Sequence, residues 1–148
     1  MKAIVLIFFI SLGVIQAQEY KAIFDCSSSN SAFIASRMML IERTMNMIKQ
    51  RGDTVDFALT IHGGCTRMTS DSLNEILAED EINNIQRAKE SITRLSKIKG
   101  VKIIVCAMSL NAATIDQEDV LPFIEISENS FIDTIGYQNR GYALMTFK

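Results

Sequence analysis

Proline occurs once and glycine only seven times in the 148 residues, a composition that excludes a fibrous or disordered chain. No basic run occurs and the formal net charge is −2, so there is no electrostatic footprint for nucleic acid. A basic amphipathic helix suited to a membrane surface is also missing. Beyond the first residues, no segment is apolar enough to span a bilayer. The chain has no internal repeat, no low-complexity tract and no linker. It carries no Ser-His-Asp order, no phosphate-cradling glycine motif and no carboxylate pair that stands out. Histidine occurs once and cysteine three times. An odd thiol count leaves at least one cysteine outside any intramolecular disulfide.

The amino terminus has the form of a secretory signal. Lys2 is a short basic region, Ala3 to Ile15 is an apolar stretch of thirteen residues, and Gln16-Ala17-Gln18 offers a small residue for cleavage. The stretch is shorter than the roughly 18–20 residues a membrane span requires. The expectation is a signal peptide over residues 1–17 and a single domain over 18–148, exported to a bacterial periplasm or secreted, without stable membrane insertion after cleavage. An uncleaved N-terminal anchor is the alternative. Export places the thiols in an oxidising compartment, where they tend to pair.

What is present reads as alternating strands and helices. Tyr20 to Asp25, Thr54 to Ile61 and Val101 to Val105 are β-strand runs, and each leads into a helical stretch. Ile34, Met38, Ile41, Met45 and Ile48 recur at spacings of four and three, which predicts a helix over Ser31–Arg51. Asn30 or Ser31 can cap its start, and Gly52 suits its end. Gly63-Gly64 breaks the chain, and Ser70–Ala78 reads as a short helix. Asp80 caps a longer helix whose face holds Ile82, Ile85, Ala88, Ile92, Leu95 and Ile98. Further on, the pattern predicts one or two helical turns at Ser109–Ala113, a brief strand at Phe123–Ser127, a helix from about Ser130 to Arg140 and a last strand at Tyr142–Phe147. The order is that of an α/β protein with a mainly parallel sheet covered on both faces.

Crossover connections make such strands parallel, so their carboxyl ends share one edge. Cys26, His62, Cys65 and Cys106 all fall at or just past those ends, where open α/β sheets bind ligands. Cys106 lies just ahead of a helix start near Ser109, and a helix N-terminus stabilises a thiolate; the alternative is a buried strand cysteine. His62 is a candidate proton shuttle or cation beside that thiolate, or else a structural histidine. Cys26 and Ser27 open a serine-rich loop whose amides suit an anion, and Gly63 and Gly64 allow close backbone approach to one. A turn with an N-cap is the plainer reading of that loop. Small phosphatases need an arginine six residues after their loop cysteine; that position is Ala32, which rejects their chemistry. A Cys₃His zinc site has the right residue types, but the ligands lack the close pairing structural zinc sites show, and no metal or cofactor is expected. A Cys26–Cys65 disulfide leaving Cys106 free is reasonable on one edge, although spacing does not settle the connectivity.

The C-terminal half carries a resemblance. Gly100-Val101-Lys102-Ile103-Ile104-Val105-Cys106, Ser109-Leu110, Ile115, Glu118-Asp119-Val120-Leu121-Pro122 and Gln138-Asn139-Arg140-Gly141-Tyr142-Ala143, together with His62-Gly63, resemble the DsrE/DsrF-like family of sulfur-relay proteins. The resemblance implies a three-layer α/β/α sandwich with a five-stranded, mainly parallel sheet, assembled as a homo-oligomer (dimer, trimer or hexamer). It also implies that Cys106 carries sulfane sulfur as a persulfide, exchanged with donor and acceptor proteins or small thiols. Catalytic roles fall on Cys106 and His62, and anion or substrate contacts on Cys26, Ser27, Gly63, Gly64, Cys65 and Ser109. Cys26 and Cys65 are not mapped by the family pattern. The competing function is a non-catalytic module binding a small anion, nucleotide or metal, with structural cysteines.

Overall fold

The computed structural model describes residues 16–72 and 77–147. In chain order the elements are β1 (Glu19–Cys26), α1 (Ser31–Gln50), β2 (Thr54–Ile61), a 3₁₀ turn (Gly63–Met68), α2 (Glu79–Ser96), β3 (Val101–Cys106), α3 (Ala107–Ala112), a second 3₁₀ turn (Gln117–Asp119), β4 (Glu125–Ser127), α4 (Ser130–Asn139) and β5 (Ala143–Phe147). The five strands form one sheet in the order β4-β3-β2-β1-β5. Every strand pairing is parallel. Helices pack on both faces, as the sequence patterning leads one to expect.

Local chemistry sets the boundaries. The Asn30 side chain accepts the Phe33 backbone N–H and caps α1, an interaction worth about 1 kcal/mol. The stripe of Ile34, Met38, Ile41, Met45 and Ile48 is buried, as its periodicity predicts. The chain leaves α1 through Gly52 at φ +84°, a conformation open to glycine. β2 is central and is buried over nearly its whole length. β1 and β3 flank it and share its apolar character.

Strand register divides the side chains between two faces. Ala22 pairs with Phe57 and Ile23 with Ala58, while Leu59 pairs with Ile103 and Thr60 with Ile104. Side chains alternate along a strand. One set (Ala22, Phe24, Cys26, Phe57, Leu59, Ile61, Ile103, Val105) therefore joins the main core under α1 and α2. The other set (Ile23, Ala58, Ile104) packs with Tyr137 of α4 in a smaller cluster. The α1–α2 side is thick, whereas the α4 side carries a single ten-residue helix.

Several boundaries differ from expectation. α2 begins at Glu79 with Ala78 as its cap residue, rather than at an Asp80 cap. Its first turn is acidic (Glu79, Asp80, Glu81), so the dipole is matched by charge without a side-chain cap. Ser70 forms an isolated antiparallel bridge with Val120, and the rest of the expected Ser70–Ala78 helix falls largely on residues 73–76, outside those described. Gly63-Gly64 does not merely break the chain; it opens a 3₁₀ turn. α3 starts at Ala107, two residues before Ser109, which makes Cys106 itself the residue ahead of the helix. Phe123 lies in a turn closed by the Ile124 N–H to Leu121 carbonyl bond, so β4 begins only at Glu125. Tyr142 precedes β5 because its ring packs edge-on against Tyr137 at 4.8 Å and its hydroxyl bonds Asp56. The expected signal peptide lies on residues 1–17, of which 1–15 are outside the described residues. No described helix is long and apolar enough to cross a membrane.

Candidate functional site

Cys26, His62, Cys65 and Cys106 all reach the carboxyl edge of the sheet, but not the same face of it. By register, Cys26 pairs with Ile61, and Ile61 with Val105. Cys26 therefore points to the α1–α2 side, where it is bonded to Cys65 in a disulfide with Cα atoms 5.9 Å apart. Both half-cystines are fully buried and belong to the main core. Cys106 is one residue out of phase with Val105 and faces the α4 side as the free thiol. The disulfide and the thiol thus occupy one edge with the sheet between them.

Asp25 and Thr60 share the α4 face with Cys106, and the two form a register pair. The Thr60 hydroxyl donates to Asp25 Oδ1 at 3.2 Å and to the Phe24 carbonyl at 3.3 Å. His62 continues the line of β2 in extended conformation, its N–H bonded to the Cys26 carbonyl at 2.9 Å. Its Nε2 donates to Asp25 Oδ1 at 2.8 Å. The two side chains are 18% and 17% exposed, so the pair sits at the solvent boundary without being immersed in it. The Phe131 ring stands edge-on to the imidazole at 6.4 Å.

Electrostatics links these groups. The hydrogen bond to Asp25 raises the His62 pKa above its ordinary value; burial opposes it, and the charges of Asp25 and a Cys106 thiolate add to the rise. At Cys106 burial is the largest influence and pushes the thiol up, yet the net shift is downward. The Ser130 and Ser109 backbone N–H groups, the Ser109 hydroxyl and the Met108 backbone N–H together outweigh burial. The polar groups at the starts of α3 and α4 therefore both favour the thiolate form of this cysteine. The residue is only 4% exposed. As a thiol, its Sγ donates weakly to the Glu128 carbonyl at 3.9 Å.

The remaining candidate residues shape the surroundings. A Cβ on Gly64 would meet Ser29 Cα at 2.5 Å and the Ser28 carbonyl oxygen at 2.6 Å; one on Gly63 would meet the Ser27 carbonyl oxygen at 2.9 Å. The close approach these glycines allow is to the loop of residues 27–29. Ser27 donates its N–H to the Phe147 carbonyl at 3.0 Å, anchoring that loop to β5. A cleft of about 240 Å³ opens between the 3₁₀ turn and α3, lined by Gly63, Gly64, Thr66, Arg67, Ser109, Ala112 and Ala113. Ser109 connects this cleft to the thiol. Among the described residues, no group of three or more His, Cys, Asp or Glu side chains could hold a metal.

Asp25 is the residue that sequence inspection passes over. Its signal was a single carboxylate at the end of an otherwise apolar strand. In the sequence Ser130 reads only as a helix start, and its influence on Cys106 depends on the start of α4 reaching the end of β3.

An all-parallel α/β sandwich with a free, donor-stabilised cysteine at its carboxyl edge and a histidine–carboxylate pair on the same face defines the class. The chain belongs to the DsrE/DsrF-like family, whose model matches residues 20–147. It is 30% identical over 131 residues to an uncharacterised protein of Aquifex aeolicus, covering 88% of this chain and 57% of that protein's length. The chain therefore spans little more than half of the curated relative. Among solved structures, a protein of unknown function from Methanobacterium thermoautotrophicum aligns with a TM-score of 0.67 at 13% identity, covering 86% of this chain and 99% of that one. The ychN protein from E. coli aligns with a TM-score of 0.52 at 14% identity, with the same coverages. These structural likenesses establish the fold, a five-stranded all-parallel sheet with helices on both sides.

Proposed function

We propose that the protein accepts and passes on sulfane sulfur, with Cys106 as the carrier. The observation that carries this reading is the free Cys106 just ahead of α3, on the same sheet face as the His62–Asp25 pair, with the nearby N–H groups of Ser130, Ser109 and Met108 favouring its thiolate. The Cys106 thiolate attacks the outer sulfur of a persulfide or polysulfide donor. A new S–S bond forms at Cys106 as the donor's S–S bond breaks, and the donor leaves as a thiolate. The N–H groups that stabilise the thiolate are then available to the terminal sulfur anion of the persulfide, as at an oxyanion site. An acceptor thiolate attacks that sulfur in turn and regenerates the Cys106 thiolate, so the cycle involves no net oxidation. His62, held by Asp25, supplies nearby positive charge when protonated.

The donors and acceptors in this reading are small thiols or proteins, and the working form is a homo-oligomer in an exported compartment. The buried disulfide is consistent with an oxidising location. Phe131, Ile132 and Ile135 on α4 are each more than half exposed, a patch suited to an interface. The test is return of sulfur: polysulfide-loaded protein, freed of excess donor and mixed with a small thiol, should release its extra sulfur to that thiol. Loaded protein that keeps its sulfur would contradict a relay.

A second reading, small-anion binding without transfer, draws on the Arg67-lined cleft beside Ser109. It predicts stabilisation by sulfate with no gain of sulfur at Cys106.

A further inference from the structure

We propose that the Cys26–Cys65 disulfide is a positioning element of the Cys106 site, fixing two loops so that Asp25 meets His62. The inference rests on the sulfur-carrier reading for its biological purpose, but not for its physical content.

Asp25 and His62 belong to different strand ends; the β1–β2 ladder and the Thr60 hydroxyl align the carboxylate, but His62 lies one residue past the last paired position of β2. Cys26 directly follows Asp25. Cys65 lies three residues after His62, in the first turn of the 3₁₀ segment. The S–S bond therefore joins the backbone just past the carboxylate to the backbone just past the imidazole. The His62 N–H to Cys26 carbonyl bond at 2.9 Å and the Cys65 N–H to His62 carbonyl bond at 3.2 Å complete a small closed frame. Gly63 and Gly64 let the 3₁₀ turn lie directly against residues 27–29, within distances that no Cβ tolerates. The frame is buried on the α1–α2 side while the pair it holds emerges on the α4 side. A covalent tie thus acts through the sheet on groups that it does not touch.

The consequence is specific. Without the tie, the loop ends regain freedom, the Asp25–His62 hydrogen bond is populated less, and less positive charge stands near Cys106. Purely structural loss would lower stability and leave the electrostatics of the folded state unchanged. The two cases separate cleanly because His62 is the only histidine and, in a Cys26→Ala/Cys65→Ala variant, Cys106 is the only thiol.

The experiment takes the double variant at a temperature where circular dichroism shows it folded. It follows the His62 ring resonance by NMR and the rate of Cys106 alkylation by iodoacetamide, both against pH. The expected result is a His62 midpoint moved down and a Cys106 midpoint moved up relative to wild type, with alkylation at neutral pH slowed at least twofold. Both midpoints unchanged in a folded variant would overturn the proposal. Should the double variant not fold, the His62 titration is repeated on wild-type chain reduced with a phosphine at low temperature in stabilising sulfate. A downward midpoint is expected there, and an unmoved one overturns the proposal. No sulfur donor enters either measurement, so failure of persulfide loading leaves this test intact, and failure here leaves the carrier role standing.

Discussion

His62 Nε2 lies 2.8 Å from Asp25 Oδ1, a contact between the end of β1 and the residue just past β2. The pair is held from two sides. The Thr60 hydroxyl bonds the same carboxylate oxygen, and the backbone of His62 is bonded to Cys26. Fixing the imidazole in this way keeps it beside Cys106 and biases it towards its charged form.

Removing the carboxylate tests that bias. In Asp25→Asn the His62 midpoint, raised above 6.5 in the intact protein, should fall, because the hydrogen bond that is its largest cause is weakened. Because a Cys106 thiolate helps to raise the His62 pKa, the reciprocal coupling should move the Cys106 midpoint up when His62 is less charged. NMR titration of the single histidine and the pH profile of alkylation measure the two shifts; opposite signs would contradict the coupling.

The same pair makes stability depend on pH. A folded pKa above the unfolded one means that protonated His62 stabilises the fold. This contribution is fully present below about pH 6.5 and disappears as the pH rises through the folded value. Cys106 acts in the opposite sense: its folded pKa is depressed, so its contribution is present above about pH 9 and is lost as the pH falls through the folded value. Urea denaturation of wild type and His62→Gln across pH 5–9 should therefore show an advantage for wild type that shrinks with rising pH.

The disulfide should also matter for stability. It spans 39 residues, and loop-closure entropy for that length is worth roughly 4 kcal/mol. Cys26→Ala/Cys65→Ala should lower the urea midpoint accordingly, and a loss below about 1 kcal/mol would mean that the reduced chain is already restrained.

Gly64→Ala should cost about 1–3 kcal/mol, the usual penalty of overpacking, because its Cβ would meet backbone atoms of Ser28 and Ser29. Gly136→Ala, with nothing within 4 Å of the added methyl and a helical backbone, should be neutral or stabilising. Thermal midpoints of the two variants make the comparison.

Much of this architecture was legible because burial wrote itself into periodicity. The β1, β2 and β3 runs and the α1 stripe are long and apolar and match the observed elements within one or two residues; of the expected α2 face, Ile85, Ala88, Ile92 and Leu95 are buried, whereas Ile82 is exposed and Ile98 lies past the helix end. The edge location of Cys26, His62, Cys65 and Cys106 followed from parallel topology alone. Their division between faces did not, because it needs register: a one-residue shift of β3 against β2 would put Cys106 on the disulfide side. Asp25 was hidden for the same reason, since its partner His62 is 37 positions away. Short elements were the least readable. Phe123 and Tyr142 look like strand residues, but local turn bonding and contact with Tyr137 hold them outside the strands. The thiol's environment was half visible: the α3 start could be anticipated, whereas the Ser130 donor arrives only through packing of α4.

The most direct measurement is the intact mass of the protein after brief exposure to polysulfide, alkylated to trap persulfide and mapped by peptide. The account predicts one added sulfur atom on Cys106 in wild type, none in Cys106→Ser, and none on Cys26 or Cys65. Added sulfur that persists in Cys106→Ser, or wild type that gains none, would contradict it.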